Sequence, residues 1–142
     1  RKVDFFISHT PYWIGKKFRD LLKNKIIIGS HPGLVPLYRG AHSAFWTMYY
    51  QDEDNNGFSI FCLNEGVDSG PIIKQERIPY DKKISYLSND YLIMKKCSLA
   101  HAQIAEDYSL GKSLVFKNQD NLDPSQIKKS PGIFDYIRSN LK

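Results

Sequence analysis

A short run of three isoleucines, leading into a histidine and a loop rich in proline and glycine, most constrains the fold. A continuous apolar run such as Ile26 to Ile28 is typical of a strand buried on both faces, as in a parallel sheet. An earlier apolar segment over 3–8, entering a turn near Pro11, predicts another strand, and helical spacing over 15–24 predicts a helix between them. Strand, helix and strand within about thirty residues form a βαβ unit. The sequence therefore predicts an α/β fold with a mostly parallel sheet.

The rest of the chain alternates between helical and strand patterns. The spacing predicts a helix over 41–51 and strands over 58–63 and 71–78 that flank a Gly/Pro turn. A longer helix is predicted to run from Ser88, as the N-cap, to Ser109, with Gly111 just beyond its end. In the polar tail we expect one short strand over 113–116 and a terminal helical turn.

Composition limits the class of protein. A chain of 142 residues with 42% hydrophobic content corresponds to one domain that buries a core. No apolar run approaches the roughly 20 residues of a membrane span, and the chain opens without a secretory signal pattern. Cys62 and Cys97 lack metal-ligand spacing, and the histidines form no His-x-x-x-His pair. We therefore expect a cytoplasmic protein with reduced cysteines, no metal site and no membrane partner.

The formal net charge of +5 raises the alternative of a nucleic-acid-binding module. The lysines, however, occur as short pairs spread along the chain, a pattern typical of solvated helix faces. We therefore expect no nucleic-acid partner. Binding that weakens steeply with salt is the property that a nucleic-acid module would show.

Two loops carry the candidate chemistry. The apolar run ends at His31, and the loop 31–40 that follows is constrained by proline and glycine; a second apolar run ends near Asp68, in another Gly/Pro turn. Because open α/β sheets bind ligands at strand ends, the two loops can place an imidazole and a carboxylate in one crevice. The alternatives are a histidine that caps a backbone carbonyl and a turn aspartate that bonds the backbone two residues on. Arg39 is suited either to a forked bond with an anion or to a salt bridge within the loop.

The segments 31–40, 57–63 and 65–73, in this order and spacing, closely resemble the formyltransferase family. That family moves a formyl group from 10-formyltetrahydrofolate to an amine, and its members include methionyl-tRNA, glycinamide ribonucleotide and amino-sugar formyltransferases. The resemblance covers roughly residues 3–78 and implies a Rossmann-like, three-layer α/β fold. It also implies a place in one-carbon metabolism and 10-formyltetrahydrofolate as the donor.

The resemblance also implies roles for particular residues. His31 and Asp68 match the catalytic histidine and aspartate, with His31 stabilising an oxyanion and Asp68 helping to move the amine proton through water. Gly66, Val67 and Asp68 are expected to contact the cofactor. The substrate-binding residues are expected to be Tyr38, Arg39 and Gly40.

Two departures from the family pattern affect the expected activity. Gly29 stands where the family has an asparagine that helps polarise the formyl oxygen, so we expect a weak or inactive enzyme unless another group substitutes. The domain of the family begins with a further βαβ half, and the resemblance implies that this chain begins after it, so residues 1–111 are expected to be the C-terminal part of the catalytic domain. Residues 112–142 are expected to be an extension packed on it.

The expected reaction is therefore formyl transfer to a small amine, of the amino-sugar nucleotide type. The loop 36–40 is closer to the tRNA and amino-sugar branches than to the purine branch, and we see no tRNA-binding domain in the sequence. The alternative is a catalytically impaired relative that binds a ligand. An exposed sheet edge would favour a homodimer.

Overall fold

The computed structural model describes residues 5–10, 12 and 14–139. Residues 3 and 4 of the first predicted strand, and the turn predicted at Pro11, lie outside the described residues. The strands are β1 (Phe5–Ile7), β2 (Ile26–His31), β3 (Gly57–Cys62) and β4 (Ile72–Arg77). The α-helices are α1 (Lys16–Leu21), α2 (Ser43–Tyr49), α3 (Tyr86–Ser109) and α4 (Ile133–Ser139), with 3₁₀ turns at Glu53–Asn55 and Pro124–Gln126.

The four strands form one mixed sheet in the order β1-β2-β3-β4. The pair β1 and β2 is parallel, whereas β2 with β3 and β3 with β4 are antiparallel. The α/β prediction is confirmed, but the prediction of a mostly parallel sheet is wrong for the described strands. A parallel pair needs a crossover of about a dozen residues or more, so the short connection over 63–71 permits only an antiparallel return from β3 to β4. The connection over 32–56, from β2 to β3, is long enough for either direction.

The sheet lies between helices on both of its faces. The Phe5 ring packs against Tyr108 of α3 with centroids 4.7 Å apart, and the Phe6 ring packs against Phe18 of α1 at 6.3 Å. Successive residues of a strand point to opposite faces. The helices α1 and α3 therefore cover opposite faces, which gives the three layers of a Rossmann-like fold.

The hydrophobic core lies between the sheet and α3. Its members come from β2, β3, α2, α3 and the residue just after β4: Ile28, Ala44, Phe58, Ile60, Ile78, Ile93, Cys97, Ala100 and Ile104. Along β2, Ile28 faces this core and is fully buried. Because side chains alternate along a strand, Ser30 lies on the same face as Ile28, and Gly29 and His31 lie on the other.

The ends of α3 test the helix prediction. The N-cap is Ser85 rather than Ser88, because the Ser85 hydroxyl accepts a hydrogen bond from the Ser88 backbone N–H. Gly111 has a φ of +82°, as expected of the glycine that ends a helix. The strand predicted over 113–116 is absent; the described part of the tail instead makes two isolated bridges, between Lys117 and Ile72 and between Lys128 and Gly40. The terminal helical turn is confirmed as α4.

A buried amide pair ties α3 to the sheet. Asn56 and Asn89 are both fully buried, and each donates from its amide nitrogen to the side-chain oxygen of the other, at 3.0 and 2.9 Å. The Thr47 hydroxyl also donates to Asn56 Oδ1 at 2.8 Å. The network satisfies polar groups that have no access to water, so it fixes how α2, β3 and α3 meet.

The expectations from composition that the fold bears on are the absence of a membrane span and the reduced state of the cysteines. No helix among the described residues combines the length and apolar character needed to cross a membrane. Both cysteines are free thiols, Cys97 buried and Cys62 partly so.

Candidate active site

A cleft of about 770 Å³ opens where β1 and β2 end and where the loop after β3 begins. This volume falls within the roughly 300–1,000 Å³ of small-molecule sites. Its walls come from the strand ends, the two predicted loops and the first turns of α3; the lining includes His31, Gly40, Leu63, Val67, Asp68 and Asp90. The predicted crevice at the strand ends is therefore present.

The cleft brings His31 and Asp68 together. His31 Nδ1 lies 3.4 Å from Asp68 Oδ2, and the two side chains are 7% and 21% exposed. A carboxylate at this distance holds the orientation of the imidazole ring. The pairing predicted from the two loops is thus observed in the geometry.

The other ring nitrogen of His31 is held by the protein. His31 Nε2 lies 2.6 Å from the Tyr38 carbonyl oxygen and 2.7 Å from Ser43 Oγ. A carbonyl oxygen only accepts, so Nε2 carries a hydrogen and Nδ1 is the nitrogen that faces Asp68. The histidine therefore does cap a backbone carbonyl, as one alternative predicted, and at the same time presents its second nitrogen to the carboxylate.

Asp68 is positioned by contacts from two other segments. Its Oδ2 accepts from the Gly40 backbone N–H at 2.8 Å. From the tail, Gln119 Nε2 donates to the backbone oxygens of Asp68 and Gly70, at 3.0 and 2.7 Å. Asp68 itself has a φ of +46°, in the left-handed region, so these contacts hold a backbone conformation that few non-glycine residues adopt.

The loop after His31 is anchored on the sheet beneath it. Ser59 Oγ accepts from the Val35 N–H at 3.0 Å and donates to the Gly33 carbonyl at 2.7 Å. Gln75 Nε2 donates to the Val35 carbonyl at 2.8 Å. Polar side chains of β3 and β4 therefore satisfy the loop backbone and fix its path.

The predicted substrate-binding residues divide into two groups. Gly40 lines the cleft, with a φ of +97° and a tail backbone so close that any Cβ would meet the Lys128 carbonyl at 2.3 Å. Tyr38 and Arg39 are buried in the loop: the Tyr38 hydroxyl donates to Asp52 Oδ2 at 2.7 Å, and Arg39 Nε donates to the Val67 carbonyl at 2.8 Å. In this conformation both side chains hold the loop 31–40 against neighbouring segments of the chain. The predicted cofactor residues Gly66 and Val67 line the cleft beside Asp68.

Position 29 is filled by a neighbouring side chain. A Cβ built on Gly29 would lie 2.3 Å from Leu63 Cδ2 and 3.0 Å from Leu63 Cγ. Both residues line the cleft. Leu63 therefore occupies the space into which a longer side chain at position 29 would project.

The sequence analysis missed a second carboxylate of the cleft. Asp90, on the second turn of α3, lines the cleft. Burial raises the pKa of its carboxyl, and the charges of His42 and His31 oppose that rise. The available signal in the sequence was an aspartate in the first turns of the helix that follows the last strand, which could have placed it at the cleft.

The fold and the site together define an α/β protein with a ligand cleft that carries an acid–base pair at its strand ends. A family model described as Formyl transferase matches residues 11–89, more than half of the chain. The chain therefore belongs to the formyl transferase family, and the resemblance seen in the sequence is confirmed.

Relatives with established names place the chain within that family. It is 38% identical over 122 residues to GDP-perosamine N-formyltransferase of Brucella melitensis, covering 85% of this chain and 42% of the relative. It is 35% identical over 94 residues to methionyl-tRNA formyltransferase of Wolbachia, covering 66% of this chain and 30% of the relative. It is 40% identical over 65 residues to human cytosolic 10-formyltetrahydrofolate dehydrogenase, covering 44% and 7%. The chain thus spans less than half the length of these relatives.

Solved structures share the fold. A 4-N formyltransferase from Francisella tularensis superposes with a TM-score of 0.71 at 19% identity, over 96% of this chain and 60% of that one. The formyltransferase PseJ from Anoxybacillus kamchatkensis gives a TM-score of 0.64 at 24% identity, over 84% and 61%. At these identities the likeness concerns the fold alone.

Proposed function

We propose that the protein transfers a formyl group from 10-formyltetrahydrofolate to the amine of a small amino-sugar nucleotide. The observation that carries the proposal is the His31–Asp68 pair, 3.4 Å apart in the cleft of a formyl transferase family member. Two relatives support the acceptor class: GDP-perosamine N-formyltransferase, and a PseJ structure described as a complex with a formamido UDP-sugar and tetrahydrofolate. The name of the human relative contains the proposed donor.

The geometry assigns a role to each member of the pair. The acceptor amine attacks the formyl carbon, and the carbonyl oxygen becomes an oxyanion. His31 Nε2–H is held on the Tyr38 carbonyl, so the proton donated toward the reacting oxygen is assigned to Nδ1, the nitrogen beside Asp68. Asp68 stabilises the charged ring and accepts the amine proton through water. Collapse of the intermediate breaks the bond to N10 of the folate, which leaves with that proton, and the product is a formamide.

The residues proposed to hold the donor and the acceptor lie in the same two loops. Gly66, Val67 and Asp68 line the cleft and form the wall that is proposed to contact the folate. Gly40 is proposed to contact the acceptor directly. Tyr38 and Arg39 keep their proposed role as acceptor-binding residues, either through a loop rearrangement or by holding the loop that contains Gly40.

The test is a coupled assay for formamide formation from 10-formyltetrahydrofolate and a panel of amino-sugar nucleotides. The variants Asp68→Asn and His31→Gln are compared with Glu65→Gln, an exposed carboxylate of the same loop that does not line the cleft. Loss of a transition-state proton donor or acceptor lowers the rate by about 10²–10⁴-fold, so both variants are expected to fall by this much while Glu65→Gln stays near wild type. Equal rates for Asp68→Asn and Glu65→Gln would contradict the proposal.

A catalytically impaired ligand-binding protein is the second candidate, favoured by the Leu63 side chain in the space beside Gly29. This function predicts that tetrahydrofolate raises the melting temperature although no amine is formylated. Turnover with any acceptor of the panel excludes it. A protein that shows neither turnover nor stabilisation by folate contradicts both candidates.

Three further assignments belong to the same proposal. Residues 1–111 are the C-terminal part of a catalytic domain, and 112–142 are an extension packed on it. In support, the Lys128 backbone forms hydrogen bonds of 2.8 Å with the backbone of Arg39 and Ala41.

A homodimer is supported by the exposed Leu92 and Leu99 on one face of α3, and sedimentation equilibrium tests it. A cytoplasmic location and a role in one-carbon metabolism follow from the proposed folate donor.

A further inference from the structure

A cluster of three potential metal ligands lies beside the cleft. It consists of His9, just after β1, and of Cys97 and His101, one turn apart on α3. One ligand atom of each residue lies within 4.8 Å of the other two. Residues four apart on a helix share a face, so α3 presents the thiol and the imidazole to the same point. The expectation of no metal site rested on the absence of Cys-x-x-Cys and His-x-x-x-His spacings, and this Cys-x-x-x-His pair is neither of them.

His101 supplies an independent sign that a ligand belongs here. The side chain is 5% exposed, and its Nε2 atom is buried with no hydrogen-bond partner among the described residues. A buried polar atom left unpaired costs about 1–3 kcal/mol, so such atoms are rare and need an explanation. A metal ion bound by Nε2 of His101 would remove that cost.

The donor set indicates the kind of ion. One thiolate and two imidazoles suit a borderline-soft divalent cation, of which Zn²⁺ is the usual occupant. We propose that His9, Cys97 and His101 form a three-ligand Zn²⁺ site at the edge of the cleft. Zn²⁺ takes nitrogen and sulfur ligands at about 2.0–2.3 Å, which places the ligand atoms roughly 3.5 Å apart. The exposed His9, at the end of a strand, is the ligand that moves inward to reach this spacing.

Ser30 orients the outer ligand. His9 Nδ1 lies 2.9 Å from Ser30 Oγ, which leaves Nε2 of His9 as the atom for the metal. A hydrogen bond to the second ring nitrogen is the usual support of a metal-bound histidine. His9 and Ser30 both line the cleft, so the site adjoins it, and water fills the fourth coordination position.

The site is distinct from the proposed catalytic pair. Ser30 points to the α3 face of the sheet, whereas His31 points to the opposite face, so the ion does not replace the His31–Asp68 pair. Binding releases the Cys97 thiol proton to solvent and leaves a thiolate on the metal. The bound ion connects the end of β1 to α3, and its effect is to stabilise the fold beside the cleft.

Cobalt titration of the full chain tests the site directly. Co²⁺ is added to metal-free, reduced protein, and a thiolate-to-cobalt charge-transfer band with tetrahedral visible bands is expected to saturate at one equivalent. Zn²⁺ is expected to displace the cobalt. Cys97→Ser should abolish the charge-transfer band, and His101→Gln should weaken Co²⁺ binding by about 10-fold or more.

Matched controls separate this site from incidental binding. Cys62→Ser removes the other thiol, and His42→Gln removes an exposed histidine; both should keep the full spectrum. Circular dichroism of each variant establishes that it is folded, and Zn²⁺ should raise the melting temperature of wild type but not of Cys97→Ser. A charge-transfer band that survives in Cys97→Ser, or wild type that binds no Co²⁺ at tenfold excess, overturns the proposal. Neither outcome depends on formyl transfer.

Discussion

Placing an asparagine at position 29 tests whether the side chain of Leu63 blocks this part of the cleft. The backbone of β2 is an ordinary strand here, so the substitution meets no conformational barrier of its own. The added Cβ would lie 2.3 Å from Leu63 Cδ2 and 3.0 Å from Cγ, where ordinary contact begins at 3.4 Å. Overpacking of this kind costs about 1–3 kcal/mol. Because Leu63 is only partly buried and can turn away, we expect Gly29→Asn to lower the free energy of unfolding by about 1–2 kcal/mol.

The coupling energy between positions 29 and 63 shows whether the clash with Leu63 causes the loss of stability. Truncation by Leu63→Ala removes the clashing atoms, so the double variant should lose less stability than the sum of the single variants, by about 1 kcal/mol or more. Urea unfolding followed by circular dichroism gives each value by linear extrapolation. Gly15→Asn is the matched control, because a Cβ at Gly15 meets nothing within 4 Å. It should change the free energy of unfolding by no more than about 0.5 kcal/mol.

The same double variant has a consequence for activity. With Leu63 truncated, the carboxamide at position 29 can project into the cleft beside His31 and donate to a developing oxyanion. One such donor changes the rate by about 10²–10³-fold, so the double variant should turn over faster than wild type, whereas Gly29→Asn alone should not. Strictly additive stability effects would refute the packing argument, whatever the rates.

Two further predictions concern α3. Asn89→Ala removes one partner of the buried amide pair and leaves Asn56 underbonded, so it should lower the free energy of unfolding by about 1–3 kcal/mol in urea titrations, whereas the exposed Asn118→Ala should have little effect. Burial raises the folded-state pKa of Asp90, so its stabilising contribution exists at low pH and is lost as the pH rises through that pKa. Asp90→Asn should therefore gain stability relative to wild type as the pH rises above about 4. The exposed Asp54→Asn should differ from wild type by the same free energy of unfolding at every pH. A pH-independent difference for Asp90→Asn as well would contradict the prediction.

The sequence was sufficient to predict the chemistry-bearing loops because their signals are local. His31 follows an apolar run and precedes constrained residues, and Asp68 lies in a Gly/Pro turn, so each could be placed at a strand end without knowing the sheet. The direction of β3 could not be predicted from the same signals. A buried strand has the same apolar pattern whether its neighbour runs parallel or antiparallel, and the short connection after β3 indicates only that β4 returns antiparallel to β3. The N-cap error has a similar cause, since Ser85 and Ser88 are both suitable caps and only the backbone conformation separates them.

Other parts of the site depend on contacts that no local pattern contains. The cluster of Cys97 and His101 is visible as a spacing, but its third member, His9, comes from a strand nearly ninety residues earlier in the chain. Likewise, nothing in the order of residues indicates that Leu63 fills the space beside Gly29. Such pairs are set by the register of β2 against β3, in which Gly29 lies opposite Phe61, two residues before Leu63.

The position of Asp68 depends on two other segments of the chain. The loop after His31 supplies the Gly40 N–H to its carboxylate, and Arg39 of that loop bonds the Val67 carbonyl next to it. The tail supplies Gln119 to its backbone. Since a displacement of about 1 Å can reduce a rate by roughly 100-fold, the distance between His31 and Asp68 is as sensitive to the tail as to the loops. The tail is therefore part of the proposed site, through the positioning of its carboxylate, although it contributes no reacting group.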